Sequence, residues 1–197
     1  MIWRRLLADP DIEGLQTQIR APAHGLAEPM QVEVDLQEEK NLEPLIQMVK
    51  SQYCDVQREG LAVLGRLSES NGNATLLLRS GAMTEIVRHL QSENIDCQIA
   101  ATQIVANVSK ANASARDAAL AQSIRPIINA MGMTVTEVVA VAELQRQSCI
   151  ALAALAGTFA HEIFEQGGAN ALSQHQQSGN AVLAREAQRA MSAINGQ

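Results

Sequence analysis

The stretch VQREGLAVLGRL, residues 56–67, decides the reading of this chain, because its apolar skeleton returns three times. The copies are CQIAATQIVANV (97–108), LQRQSCIALAAL (144–155) and LAREAQRAMSAI (183–194). Four columns align. They are Val56, Cys97, Leu144 and Leu183; then Gly60, Ala101, Ser148 and Ala187; then Leu64, Val105, Leu152 and Met191; then Leu67, Val108, Leu155 and Ile194. Offsets of 0, 4, 8 and 11 within each copy trace one face of an α-helix. The second column is always small, as a close helix crossing requires, while large side chains on either side fill the neighbouring grooves. The copies begin 41, 47 and 39 residues apart. Self-similarity at that period predicts a stack of helical units, each unable to bury its apolar face alone.

Composition agrees and excludes several function classes. The chain has 197 residues, 47% of them apolar and only 2% aromatic, which favours helix over sheet. Trp3, Tyr53, Phe159 and Phe164 are its aromatics, too few for base-stacking platforms. A net charge of −6 offers no basic patch for phosphates, so no nucleic-acid partner is expected. The three cysteines lack CxxC spacing and read as free thiols of a reducing compartment. No uninterrupted run of 18 apolar residues occurs, so no transmembrane span is expected. The start, MIWRRLLADPD, turns acidic too early for a secretory signal. The expected setting is intracellular, with cytoplasmic, cytoskeletal and mitochondrial locations all open.

Two regions are expected. Residues 1–40 stand outside the repeat and form an arm, partly extended and partner-docking. Pro10, Pro22, Gly25 and Pro29 punctuate it, Val32, Val34 and Leu36 alternate, and Ile2, Trp3, Leu6 and Leu7 make one apolar face. Residues 41–197 form the repeat domain. Asn41 reads as a cap before a short helix over 42–49. A long helix over 56–69 ends at an Asn71–Gly72–Asn73 turn, and a short one runs over 74–79. Helices over 83–90 and 95–110 follow. The third unit starts near Ala115, has a long connection over 132–137 and ends in a helix over 138–157. The fourth has helices over 159–166, 169–176 and 181–194. Arg185, Glu186, Gln188 and Arg189 wet one face of the last helix, as in a capping end.

The Gly-led segments RSGAMTEIVRHL (79–90) and EQGGANAL (165–172), each followed by the long-helix motif, resemble the armadillo-repeat family over roughly residues 41–197. The resemblance implies an all-α fold, a right-handed α-solenoid of about four armadillo-like repeats. It also implies a concave groove lined by the third helices. Importin-alpha-like members carry a Trp, and an Asn four residues later, on successive third helices to hold an extended peptide. The matching pairs here are Ala62 and Arg66, Gln103 and Asn107, Ile150 and Ala154, and Arg189 and Ala193, of which only Asn107 fits. Beta-catenin-like members line the groove with Lys and Arg, a role open here only to Arg66 and Arg189.

Reactive chemistry has little support. His161-Glu162 opens HEIFE, but Glu165 stands where a zinc site needs its second imidazole. No phosphate loop, GxSxG elbow or CxxC is present. The chain is therefore read as a non-catalytic scaffold with no cofactor, no metal and no small-molecule substrate. It is expected to serve as a structural or accessory subunit of a larger protein assembly. The candidate protein-binding residues are Trp3, Ile2, Leu6 and Leu7 in the arm, and Arg66, Gln103, Asn107, Ile150 and Arg189 on the groove row. The second reading is a soluble adaptor that takes a peptide or helix reversibly in the groove.

Overall fold

The computed structural model describes residues 42–133 and 138–196. The expected arm, the Asn41 cap and the sites Ile2, Trp3, Leu6 and Leu7 lie outside the described residues. Among the described residues there are nine α-helices and no strand. They are α1 (Glu43–Val49), α2 (Cys54–Leu67), α3 (Asn71–Arg79), α4 (Met83–Arg88), α5 (Ile95–Ala111), α6 (Ala118–Met131), α7 (Val138–Glu165), α8 (Gly168–Gln176) and α9 (Ala181–Ile194). A 3-10 turn, His89–Gln91, extends α4.

The helices stack in two layers in chain order. In one layer α2 packs on α5, α5 on α7 and α7 on α9; in the other α1 packs on α4, α4 on α6 and α6 on α8. This is an all-α solenoid of four units: repeat 1 over 42–70, repeat 2 over 71–111, repeat 3 over 112–158 and repeat 4 over 159–196. The four long helices are those of the recurring motif. All of its small column is buried, as are Cys97, Leu144 and Leu183 of the first column. Val56 and Leu67, both in repeat 1, are only half-buried. At Gly60 the close crossing is explicit: a Cβ there would stand 2.9 Å from Met48 Cβ and 3.3 Å from Val49 N. Only hydrogen lets α1 and α2 approach so closely.

The chain re-enters the long helices by one recurring device. The hydroxyls of Ser51, Ser92 and Ser178 accept from the backbone N–H of Tyr53, Asn94 and Asn180, at 3.2, 3.2 and 3.1 Å. Asn94 and Asn180 then cap α5 and α9, each accepting two N–H bonds at its Oδ1. Asp117 caps α6 in the same way.

Glycine sets the break between the first and second helices of a unit. Gly81 and Gly167, with φ of 74° and 85°, occupy equivalent left-handed positions that end one helix before the next begins. Repeat 3 has Gln122 there instead, so its first two helices fuse into α6. Pro126 marks the seam, since it has no N–H to return to the Gln122 carbonyl one turn back.

Two sequence expectations are corrected. Asn71–Gly72–Asn73 is the first turn of α3, not a loop: Ser70, in an extended conformation, starts the helix and Asn73 is buried. Low helix propensity at Asn and Gly is overridden there by packing. Helix α2 begins at Cys54 and ends at Leu67, before the expected 69. The helices expected over 138–157 and 159–166 are both present: they abut within α7 and are parted at Phe159, whose φ of −124° and ψ of 26° are non-helical and kink the chain. Phe159 is buried, and its packing holds the bend. By length and composition α7 also holds an 18-residue window apolar enough to cross a membrane, with a mean hydropathy of 1.2. Its Leu144, Cys149, Leu152, Leu155 and Ile163 are buried within the solenoid, as in a core helix.

Candidate functional site

The third-helix row offers the candidate surface, and its residues differ in what they engage. Arg66, in the last turn of α2, is exposed and makes no ion pair or hydrogen bond among the described residues. Gln103 on α5 donates its amide to Glu69 Oε1 at 3.4 Å, reaching back one repeat. Asn107 does the same more firmly: its Nδ2 donates to Ser68 Oγ at 3.0 Å, and Ser68 donates onward to the Gly65 carbonyl at 2.6 Å. Ile150 on α7 is half-buried against the core, and Arg189 on α9 pairs with Glu186 at 3.2 Å. The row therefore runs along α2, α5, α7 and α9. Asn107, the position that matches the peptide-holding ladder, turns its amide inward as an inter-repeat tie.

Apart from Arg66, the row's charge is balanced internally. Arg146 makes a bidentate contact with Glu143, at 2.8 and 2.6 Å, and Gln147 donates to the same carboxylate at 2.9 Å. The Arg146 hydrogen bond holds the Glu143 carboxyl below its ordinary range against an opposing push from burial, with Gln147 helping. Glu143 in turn raises Arg146, and the charge of Glu186 on the neighbouring α9 adds to the effect. The two free thiols in the core are inert by environment. Burial raises Cys97, and it pushes Cys149 up to about 12.

Two sets of polar residues were not identified from sequence. The first is a glutamine that directly follows the first apolar column. Gln57, Gln98 and Gln145 donate their amides to the carbonyls of Ser51, Ser92 and Met133, at 2.6, 2.5 and 3.2 Å. They occupy one repeat position and fix the entry loop of three successive long helices. The second is a histidine at the end of the second helix. His89 Nε2 lies 3.0 Å from the Val49 carbonyl, and His175 Nε2 lies 2.9 Å from the Met131 carbonyl. A column-by-column alignment of the polar positions would have shown both.

The HEIFE segment is a helix face. His161 Nε2 lies 3.2 Å from Glu165 Oε1, with both side chains exposed, while Glu162 pairs with Arg116. Among the described residues no group of three or more His, Cys, Asp or Glu side chains could hold a metal ion.

No protein-family model matches the chain, and no curated protein matches it. Similarity is found among solved structures. Two engineered proteins of the Northeast Structural Genomics Consortium superpose with TM-scores of 0.67 and 0.68 at 21% and 19% identity, over 80% and 79% of this chain. The matched portion is 63% and 64% of those chains, so this chain spans less than two thirds of their length. A designed armadillo repeat protein in complex with the peptide (KR)4 aligns over 97% of both chains at 15% identity, with a TM-score of 0.42. At these identities the first two likenesses establish a shared fold.

Proposed function

We propose that this protein is a non-catalytic helical-repeat scaffold, an accessory subunit that binds other proteins of an intracellular assembly through its third-helix row and its N-terminal arm. The observation that supports this most is the state of the row. Its charges are mutually neutralised at Glu143–Arg146 and Glu186–Arg189, and its ladder amide, Asn107, ties two repeats together. What remains outward is a mixed surface of Ala62, Arg66, Gln147 and Ile150. Such a surface suits a shape-complementary protein contact more than capture of a charged peptide by an amide ladder. For the same reason the adaptor reading ranks second.

The test is a pull-down from the native source with three chains: the full chain, one lacking residues 1–12, and the full chain with Arg66→Glu and Ile150→Arg. Loss of the same partners from both variants, with thermal melting of the row variant unchanged, is the expected result. Retention of every partner by both variants would overturn the proposal. Partner loss only in the row variant, with binding of short free peptides, would favour the adaptor.

A further inference from the structure

The first and last described repeats present different outer faces. On α9, Gln188 is exposed where the equivalent Thr102 and Cys149 are buried under a following unit, and Arg185 beside it is exposed too. A polar outer face of that kind closes a solenoid to water. Repeat 1 presents an apolar one. One position is fully buried on the other three long helices: Ile104, Ala151 and Ala190 are each 0% exposed. Its equivalent on α2 is Val63, which is 37% exposed. Val56 and Leu67 are half-buried where their equivalents on α5, α7 and α9 are buried. All three stand half a turn round α2 from Gly65, where a Cβ would stand 3.8 Å from Gln103 Oε1 on α5. They form a stripe turned away from repeat 2.

Charge is laid out along the same helix with opposite signs at its two halves. Asp55 and Glu59 share one cation, Arg58, at 3.8 and 3.5 Å, which leaves one negative charge in excess. Arg66 is exposed and makes no ion pair or hydrogen bond among the described residues, while the neighbouring Glu69 carboxylate accepts from Gln103. Glu59 and Arg66 are two helical turns apart, so both lie on one edge of the stripe.

We propose that this stripe is a contact between two copies of the chain, packed with their α2 helices antiparallel about a two-fold axis near Ala62 and Val63. A two-fold contact must be complementary to itself, with residue i meeting residue j of the copy while j meets i. Turned end for end, α2 meets these demands. Val63 comes beside Val63 of the second copy, Val56 beside Leu67, and Glu59 beside Arg66, the last two contacts each made twice. A parallel pairing would set Arg66 on Arg66 and Glu59 on Glu59. A partner of one charge, acidic or basic, would suit one half of the helix and oppose the other. A single helix pair lies at the small end of specific interfaces, so the association is weak and concentration-dependent. It is separate from the third-helix row and shares only Arg66 with it.

The test is sedimentation velocity of the purified full chain alone, in reductant, so its outcome does not depend on whether the row binds other proteins. The parent is expected to pass from monomer to dimer between about 1 μM and about 1 mM. Val63→Glu is expected to remain monomeric throughout. Glu59→Arg and Arg66→Glu are each expected to weaken the dimer about tenfold, since each sets two like-charged pairs together. An equimolar mixture of those two variants is expected to form a mixed dimer with the affinity of the parent, because the exchanged charges then face their opposites. A parent that stays monomeric across the range, leaving the stripe to a different occupant, overturns the proposal. So does a dimer that Val63→Glu leaves intact, or a mixture that associates no better than either variant alone.

Discussion

His89 and His175 occupy the same station in two different repeats and make the same contact, each with Nε2 about 3 Å from the carbonyl that closes an earlier second helix. The acceptors, Val49 and Met131, are equivalent as well. A helix-terminal carbonyl without an intrahelical partner needs one from elsewhere, and here the next repeat supplies it, joined at Met131 by the Gln145 amide at 3.1 Å. The two ties are far apart and share no partner. His89→Ala and His175→Ala should each cost about 0.5–1.5 kcal/mol by chemical denaturation. The double variant should sum to within about 0.5 kcal/mol, and a large departure from additivity would mean that the two ties are energetically coupled.

The crossing at Gly60 leaves no room for a methyl group. Because a Cβ would meet Met48 Cβ at 2.9 Å beside the Val49 backbone, even Gly60→Ala should lower the melting temperature despite its better helix propensity. Gly60→Leu should cost about 1–3 kcal/mol or more through overpacking. Gly168→Ala is a second instance, with its Cβ placed 2.5 Å from Ile163 Cγ2 and 2.9 Å from the Ile163 carbonyl. Unchanged melts for these variants would mean that the helices can separate at no cost.

The thiols give a chemical test of the core. Cys54 is exposed, while Cys97 and Cys149 are buried. A disulfide reagent at mild alkaline pH should therefore titrate one thiol in the native protein and all three in denaturant. The Cys149 thiol, at about 12 in the folded chain, lies above the ordinary 9.0 of the unfolded one. Its contribution is thus fully present below pH 9 and is lost as pH rises toward 12. Denaturation curves of Cys149→Ala should show a shallower decline over that window than those of the parent.

Acid probes the other side. The Glu143 carboxyl is held below its ordinary value by Arg146, so its stabilisation is present above about 4.5 and disappears as pH falls through the lowered folded value. Glu143→Gln should flatten the acid limb of the stability profile, and high salt should do so in part, because both side chains are about a third exposed.

Much of this architecture was legible because apolar burial repeats with a fixed phase. The columns through Gly60, Ala101, Ser148 and Ala187 located the long helices, and Gly81 and Gly167 located two of the breaks. The errors arose where local and tertiary preferences disagree. Asn71 and Gly72 read as a stop, yet packing draws them into α3. Phe159 reads as the start of a new helix, and its non-helical backbone does part the two, which abut without a loop. The candidate row lies along the long helices, but no single residue announces that Asn107 faces Ser68. That fact depends on a neighbour 39 positions away. Gln57, Gln98 and Gln145 share one repeat position, but a polar side chain that bonds to a loop carbonyl carries no burial phase to mark it.

The bend at Phe159 carries a kinetic implication. Its non-helical backbone makes α7 two helices that meet with no loop between them. The last unit can therefore lift away without melting the long helix before it, but the buried Phe159 ring must leave its seat first. Dissolution from the carboxyl end should accordingly pause at that ring.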